Sequence, residues 1–517
     1  MQMPLIQYRS FWLLLISCTA FNAVAVNEDV TLKQANVIVF LVDDLGVMDT
    51  SVPFISNQDN EKKQFPLNEY YQTPNLTELA TRGTRYSQFY AQSVCSPSRA
   101  SLLTGQNAAR HHITTWINPT KNNKGEYGPS NWQWQGLSSS AVTLPKLLQQ
   151  SGFKTIHIGK GHFGPLNSEG ANPLNLGFEV NIAGGAWGRP KSYYGKDHYG
   201  NHKKFKQKNK ALTHNIPDLA HYYEQDTFLT EALTQEAIKQ ISLSDKQHKP
   251  FFLLMSHYGV HAPFQPDPRF IDKYQTSQEK EASKAFASLV EGVDKSLGDI
   301  VAHLNHLNIA DNTLIIFAGD NGSDSPIGKN NNIATAAPFR GRKGTSWEGG
   351  MRAPLLIGWA NESAQNPLPI ETDINNEIAT IMDIFPTVLA TLQVPLPNNY
   401  IVDGENLLRS ESSSADEKEF LMHFPHEHRH SYFTTYRKGP WKLIYRFNPA
   451  NKKGVKQYQL YNLQDDLSES NDLSKTEPKM LYDMVFAMRA KLAQQGAQYP
   501  TNISGNTLLP QLPKLTN

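Results

Sequence analysis

Apolar residues recur along the chain in two kinds of run. Short stretches rich in Val, Ile, Leu and Phe occupy 37–42, 155–158, 251–255, 314–318 and 354–359. Apart from 155–158, where Thr155 and His157 alternate with isoleucine, these runs have no polar face, which is the pattern of strands covered on both sides in a parallel sheet. Between them the period lengthens. Over 283–305, Phe286, Leu289, Val290, Val293, Leu297, Ile300, Val301 and Leu304 fall on one stripe, predicting an amphipathic helix. Shorter helices are predicted over 143–150 and 226–241. Alternation of strand and helix predicts an α/β domain, with a large, mostly parallel sheet sandwiched by helices.

The pattern changes at the polar stretch 410–419, which reads as a linker. Beyond it, 432–437, 441–446 and 457–460 read as short antiparallel strands, with Lys438-Gly439-Pro440 as a turn. A helix over 478–492 follows. The expected organisation is a signal segment over 1–25, an α/β domain over 26–409, the linker, and a smaller C-terminal α+β domain over 420–517. A chain of 517 residues is long enough for more than one core.

The N-terminal segment predicts export. A short start ending in Arg9 leads into an apolar run over 11–16 that is too short to span a bilayer. Two processing routes fit. Ala23-Val24-Ala25 matches a small-residue cleavage site, whereas Leu15-Ile16-Ser17-Cys18 matches a bacterial lipoprotein signal that would place a lipid on Cys18. The protein is therefore expected in the periplasm or outside the cell, touching a membrane only through that anchor. Lys plus Arg number 49 and Asp plus Glu 48, for a net charge of +1. So balanced a chain has no global field to recruit nucleic acid. The Lys-rich piece over 203–210 reads as a solvated loop.

Cysteine usage sharpens the picture. The sequence holds two, Cys18 and Cys95, and the first lies in the signal segment. An exported chain thus has no internal disulfide to build, and Cys95 needs another explanation.

Two acidic clusters follow directly on apolar runs: Asp43-Asp44 after 37–42, and Asp320-Asn321-Gly322 after 314–318. Ligands of open α/β sheets bind beyond the carboxyl ends of the strands, where these residues would sit. Converging carboxylates repel unless a cation joins them, and all-oxygen donors suit calcium or magnesium.

The most specific motif is Cys95-Ser96-Pro97-Ser98-Arg99-Ala100-Ser101-Leu102-Leu103-Thr104-Gly105. It resembles the signature of the type I sulfatases, members of the alkaline-phosphatase-like superfamily that includes bacterial polysaccharide sulfatases. Further blocks resemble the same family: Gly159-Lys160-Gly161-His162-Phe163-Gly164, with Gly161 where many members have Trp; Ser256-His257-Tyr258-Gly259-Val260-His261; Asp320-Asn321-Gly322; and Arg340-Gly341-Arg342-Lys343-Gly344-Thr345 to Arg352.

The resemblance implies an alkaline-phosphatase-like fold and a calcium-dependent sulfuric ester hydrolase. It implies that a maturation enzyme oxidises Cys95 to formylglycine (3-oxoalanine), whose hydrate offers one hydroxyl to attack sulfur and a second to expel sulfate. Asp43, Asp44, Asp320 and Asn321 would hold one calcium ion together with residue 95. Arg99 would orient the hydrate, Lys160 would bridge it to the sulfate, and His162 would accept a proton. His261 would protonate the departing sugar oxygen, and Lys343 would bind sulfate.

Sugar contacts are less directly legible. His257 lies four residues before His261, and Arg352 closes the Lys343 block. Trp187 and Arg189 sit in a Gly-rich insertion, and His423 and His426 in a histidine-rich stretch with His428 and His430. The expected substrate is a sulfated polysaccharide or oligosaccharide, with a lean to a galactose-based algal glycan. Two alternatives remain at this level: a phosphoester or phosphonate hydrolase of the same superfamily, and a glycan-binding homologue without turnover.

Overall fold

A computed structural model describes residues 35–56, 62–200, 214, 216–328, 335–409 and 418–514. The expectations placed on the signal segment with Cys18, on 203–210 and on 410–417 lie outside the described residues. These described residues form one compact unit.

Eight strands make the main sheet: β1 (Asn36–Val42), β2 (Gly83–Tyr90), β3 (Lys154–Gly159), β4 (Val180–Ile182), β5 (Phe251–Ser256), β6 (Thr313–Gly319), β7 (Leu355–Trp359) and β8 (Ile374–Thr380). Their order is β4-β3-β5-β1-β6-β7-β2-β8. All neighbours are parallel except at β7, which runs antiparallel to β6 and β2. The run over 354–359 therefore corrects the parallel expectation for that segment. A strand buried on both faces reads the same in either direction, so composition does not encode its sense.

The helices are α1 (Pro66–Tyr70), α2 (Pro74–Ala80), α3 (Cys95–Thr104), α4 (Ala108–His111), α5 (Leu144–Gln150), α6 (Leu229–Lys246), α7 (Glu281–His306), α8 (Ile384–Thr391) and α9 (Pro478–Gln494). Alternate residues of β1 feed opposite cores, as the pleat requires. Ile38, Phe40 and Val42 pack with the apolar stripes of α2, α6 and α7. Val37, Val39 and Leu41 pack with α3, α5 and α8. The helix predicted over 226–241 spans Leu229–Lys246, and in its last turns Ser242 and Ser244 turn their hydroxyls back to the carbonyls of Ile238 and Gln240.

A second, antiparallel sheet follows, with strands β9 (Glu419–Phe424), β10 (Phe433–Lys438), β11 (Trp441–Arg446) and β12 (Tyr458–Asn462) in the order β12-β11-β10-β9. Glu419, expected in the linker, opens β9. One face of this sheet packs on α9 through Leu443, Leu460, Val485 and Met488. From the other, Phe420, Met422, Phe424 and Phe433 pack on Tyr90, Val94, Met351 and Ile378 of the main layer. Between the layers Lys442 is sealed from solvent, 2.8 Å from Glu348 Oε1 and 2.7 Å from Glu469 Oε1.

Candidate active site

Five parallel strands end at one edge of the main sheet and deliver the site. β1 runs into Asp43 and Asp44, β6 into Asp320 and Asn321, β3 into Lys160, and β5 into His257 and His261; β2 leads through 91–94 to Cys95, the first residue of α3. Antiparallel β7 enters the sheet from this same edge, so the segment before it brings Lys343 in. Gly159 permits the close crossing of β3 and β5: its φ is +101° and an added Cβ would lie 1.9 Å from the Ser256 carbonyl oxygen.

Each buried charge here meets an opposite one. Arg99 donates through Nε to Asp320 Oδ2 at 2.8 Å, and through Nη1 to the Lys160 carbonyl at 2.8 Å and Ser256 Oγ at 2.7 Å. Lys160 Nζ lies 2.7 Å from Asp43 Oδ2, and Lys343 Nζ bonds Asp44 Oδ1. Burial raises the Asp43 carboxyl well above the usual range, with Lys160 opposing it. Burial also works against the Asp44 carboxylate, yet His261 and Lys343 hold it below that range.

Three acceptor oxygens are left over. Asp43 Oδ1, Asp44 Oδ2 and Asn321 Oδ1 are buried without a hydrogen-bond donor. Donor atoms of Asp43, Cys95 and Asp320 lie within 4.8 Å of one another, as do those of Asp43, Asp44 and His261. Orphaned buried oxygens at this density are costly unless a cation takes them up. Oxygen donors of this kind fit a hard divalent ion.

The two histidines are set by backbone carbonyls. His162 Nε2 donates to the Ile117 carbonyl at 2.7 Å, which leaves Nδ1 as the acceptor, 3.6 Å from Cys95 Sγ and 3.3 Å from Ser96 Oγ. His261 Nδ1 donates to the Ala262 carbonyl at 2.9 Å, and its Nε2 stands 3.6 Å from Asp44 Oδ2. Burial pushes both imidazoles down, His261 to about 3. Both rings rest neutral at mild pH, able to take up a proton that the chemistry supplies.

Cys95, His162, His261 and Lys343 open into a cleft of about 640 Å³ that Trp116, Trp187, Arg189, Lys191, Arg342 and Arg429 also line. Four of the expected sugar contacts are placed elsewhere. His257 is buried against Phe40 and pairs with Ser296 Oγ at 3.0 Å. Arg352 is held by Glu348 at 2.7 Å and by the Ser87 carbonyl. His423 is fixed between Thr434 and the Gln498 carbonyl, and His426 between Thr114 and the Lys124 carbonyl. In each case buried polar partners occupy the side chain, so it packs rather than presents. His428 and Arg429, from the same stretch, line the cleft instead. Lys191 and Arg342 were also missed, although each lies within two residues of an expected contact.

A mixed α/β sheet with a cation-ready acidic cluster at its carboxyl edge defines an alkaline-phosphatase-like hydrolase fold. The sulfatase family model matches residues 35–394, and the chain belongs to that family. It is 29% identical to N-acetylgalactosamine-6-sulfatase of Mus musculus over 386 residues, covering 73% of this chain and 66% of that protein. The chain thus spans just under two thirds of the length of this mammalian relative. It is 27% identical over 521 residues to a sulfatase of Formosa agariphila, covering 89% of this chain and 88% of that protein. The crystal structure of Ps i-CgsB superposes with a TM-score of 0.68 at 25% identity, covering 91% of this chain and 96% of that one. The phosphonate monoester hydrolase of Agrobacterium radiobacter shares the fold, with a TM-score of 0.57 at 17% identity and coverage of 89% and 96%. The family and fold expected from the sequence are borne out.

Proposed function

We propose that the protein is an exported sulfuric ester hydrolase that removes sulfate from a sulfated carbohydrate, with residue 95 as formylglycine and one calcium ion. The observation that carries this reading is the set of orphaned oxygens on Asp43, Asp44 and Asn321 beside Cys95, ringed by Lys160, Lys343, His162 and His261. A divalent ion held by Asp43, Asp44, Asp320 and Asn321 would supply charge neutralisation and acidify the attacking hydroxyl. The aldehyde hydrate at 95 would supply that hydroxyl and the means of releasing sulfate.

The chain's own residues complete the chemistry. Lys160 and Lys343 sit where sulfate oxygens would need cations, and each trades its present carboxylate for a shared position between carboxylate and sulfate. His162 Nδ1, kept free of a proton by the Ile117 carbonyl, receives one from residue 95. His261 Nε2 faces the cleft; the negative charge of a bound sulfate ester favours its imidazolium form, so that it takes a proton from solvent and passes it to the departing sugar oxygen. Arg99 anchors Asp320 and the Lys160 backbone, holding the first residues of α3 against β6 and β3.

Carbohydrate as the carrier is supported by the names of the relatives. One is an N-acetylgalactosamine-6-sulfatase, and Ps i-CgsB has been crystallised with k-i-k-neocarrahexaose. Both agree with a lean to galactose-type sugars. The test is a screen of defined sulfated oligosaccharides for sulfate release, using protein co-produced with a formylglycine-generating enzyme. Intact mass should show the thiol of residue 95 replaced by an aldehyde. Undiminished turnover by Cys95→Ala, or faster cleavage of matched phosphate esters, would overturn the reading.

A further inference from the structure

Cations crowd the cleft, but they are partnered unequally. Among the described residues, Arg189, Lys191, Arg342, Lys343 and Arg429 line it together with a single carboxylate, Asp324, in a chain whose net charge is only +1. Arg342 and Arg429 both bond Asp324, Arg429 through Nη1 at 2.6 Å and Nη2 at 3.0 Å. Arg429 also donates to the Lys343 carbonyl at 2.9 Å. These two guanidiniums brace one another and the loop that carries Lys343.

Arg189 and Lys191 are different. Among the described residues neither has a carboxylate partner, and they lie close enough that Arg189, after burial, pushes the Lys191 ammonium down. Neighbouring like charges left uncompensated are unfavourable, and an anion placed between them relieves the repulsion. Nor do they sit on an arbitrary surface. Trp187 stacks on His214 with ring centroids 4.0 Å apart, which fixes the start of their segment. Gly188 abuts the His162 ring so closely that an added Cβ would lie 2.5 Å from Cε1. The segment is therefore seated directly on a residue of the reacting centre, and its two free cations stand just beyond it.

We propose that Arg189 and Lys191 form a second anion subsite, so that the substrate is a glycan carrying a further sulfate ester or a uronate carboxylate near the sulfate that is cleaved. This rests on the sulfatase reading of the same cleft. The residues that hold the cleaved sulfate, Lys160 and Lys343, are paired with the acidic cluster; among the described residues the second site has no acid, and it draws its counter-charge from the substrate. Its chemistry favours arginine and lysine together: the guanidinium fork takes two oxygens and the ammonium closes from the side.

The test compares matured wild type with an Arg189→Ala/Lys191→Ala variant on matched oligosaccharides bearing one sulfate, two sulfates, or one sulfate and a uronate. The variant should lose at least about tenfold more kcat/KM on a dianionic substrate than on the monosulfated one, mainly through KM. Arg189→Lys should recover part of that loss, and added salt should shrink it. The dianionic substrate on which the difference appears identifies the second group. Equal losses on all three substrates, or none, would overturn the subsite. A parallel measurement keeps the two readings separable: calorimetric binding of both dianionic oligosaccharides, the disulfated and the sulfated uronate, to Cys95→Ala protein, with and without the paired substitutions. Were wild type to release no sulfate at all, the functional reading would fail, while weaker binding by the paired variant would still support the subsite and unchanged binding would refute it.

Discussion

Arg99 and Asp320 meet across the carboxyl edge of the main sheet, Nε to Oδ2 at 2.8 Å, with both side chains closed to solvent. The pair joins the helix that opens with Cys95 to the strand that ends at the acidic cluster. Removing one partner of a buried ion pair strands the other, at a cost of about 3–5 kcal/mol. Arg99→Ala is therefore expected to lower the urea midpoint strongly and to abolish turnover, and Arg99→Lys to keep more stability than activity. Retention of full stability by Arg99→Ala would contradict this account of the pair.

Calcium should stabilise the fold as well as support turnover. An ion at one hundred times its dissociation constant adds about 2.7 kcal/mol. Chelation should lower the thermal midpoint and remove sulfatase activity, and calcium should restore both. In Asp44→Asn the calcium-dependent part of the midpoint should shrink. A thermal midpoint indifferent to chelator would sink the assignment of the acidic cluster.

His261 is expected to matter in proportion to the basicity of the leaving oxygen. His261→Ala should lose about a hundredfold or more in kcat on sugar sulfates, within the range for general acids. On activated aryl sulfates, whose phenolate departs unaided, the loss should be far smaller. Equal losses on the two classes would remove its role as proton donor.

Gly188 leaves no room for a methyl group against His162. Gly188→Ala should push the imidazole off its alignment with residue 95, and a displacement near 1 Å can cost about a hundredfold in rate. The check is kcat beside the thermal midpoint: a large fall in the first with a small shift in the second marks a positioning effect.

Asp294 on α7 gives a pH prediction away from the site. It accepts from Asn75 N at 3.0 Å, Asn75 Nδ2 at 2.7 Å and Leu76 N at 2.8 Å, at the start of α2. Burial outweighs these bonds and raises its carboxyl to about 6. A folded value above the unfolded one means the contribution is full below roughly pH 4 and is lost as pH rises through 6, by up to about 3 kcal/mol. The stability of wild type relative to Asp294→Asn should therefore fall between pH 4 and 6 and then level off. A difference that rises over that window would have the wrong sign.

Much of this site was legible because its residues follow directly on strands whose composition announces them. Asp43, Asp44, Asp320 and Asn321 each sit within three positions of a fully apolar run, and the Cys95 motif is dense enough to stand alone. Strands β2 and β8 were missed because Arg85, Ser87 and Gln88 in one, and Asn375, Asn376 and Glu377 in the other, interrupt any apolar pattern. The histidine stretch misled for a different reason. His423 and His426 are candidates by residue type, yet their direction depends on strand β9 and the loop after it, and only long-range packing fixes which of four histidines turns outward. The unpaired state of Lys191 is likewise a property of what does not surround it, which no local sequence window records.

The Lys442 ammonium, shared between Glu348 and Glu469 where the two layers meet, has a consequence for engineering and for descent. The small sheet is not a detachable module. A graft that exchanged it for another would leave Glu348 without one of its two cations, five residues from Lys343, and would disturb the loop that presents that lysine. Changes of preference among related chains are thus expected to arise in the segment of Trp187, Arg189 and Lys191 on a retained sheet, and domain shuffling at this junction should be rare.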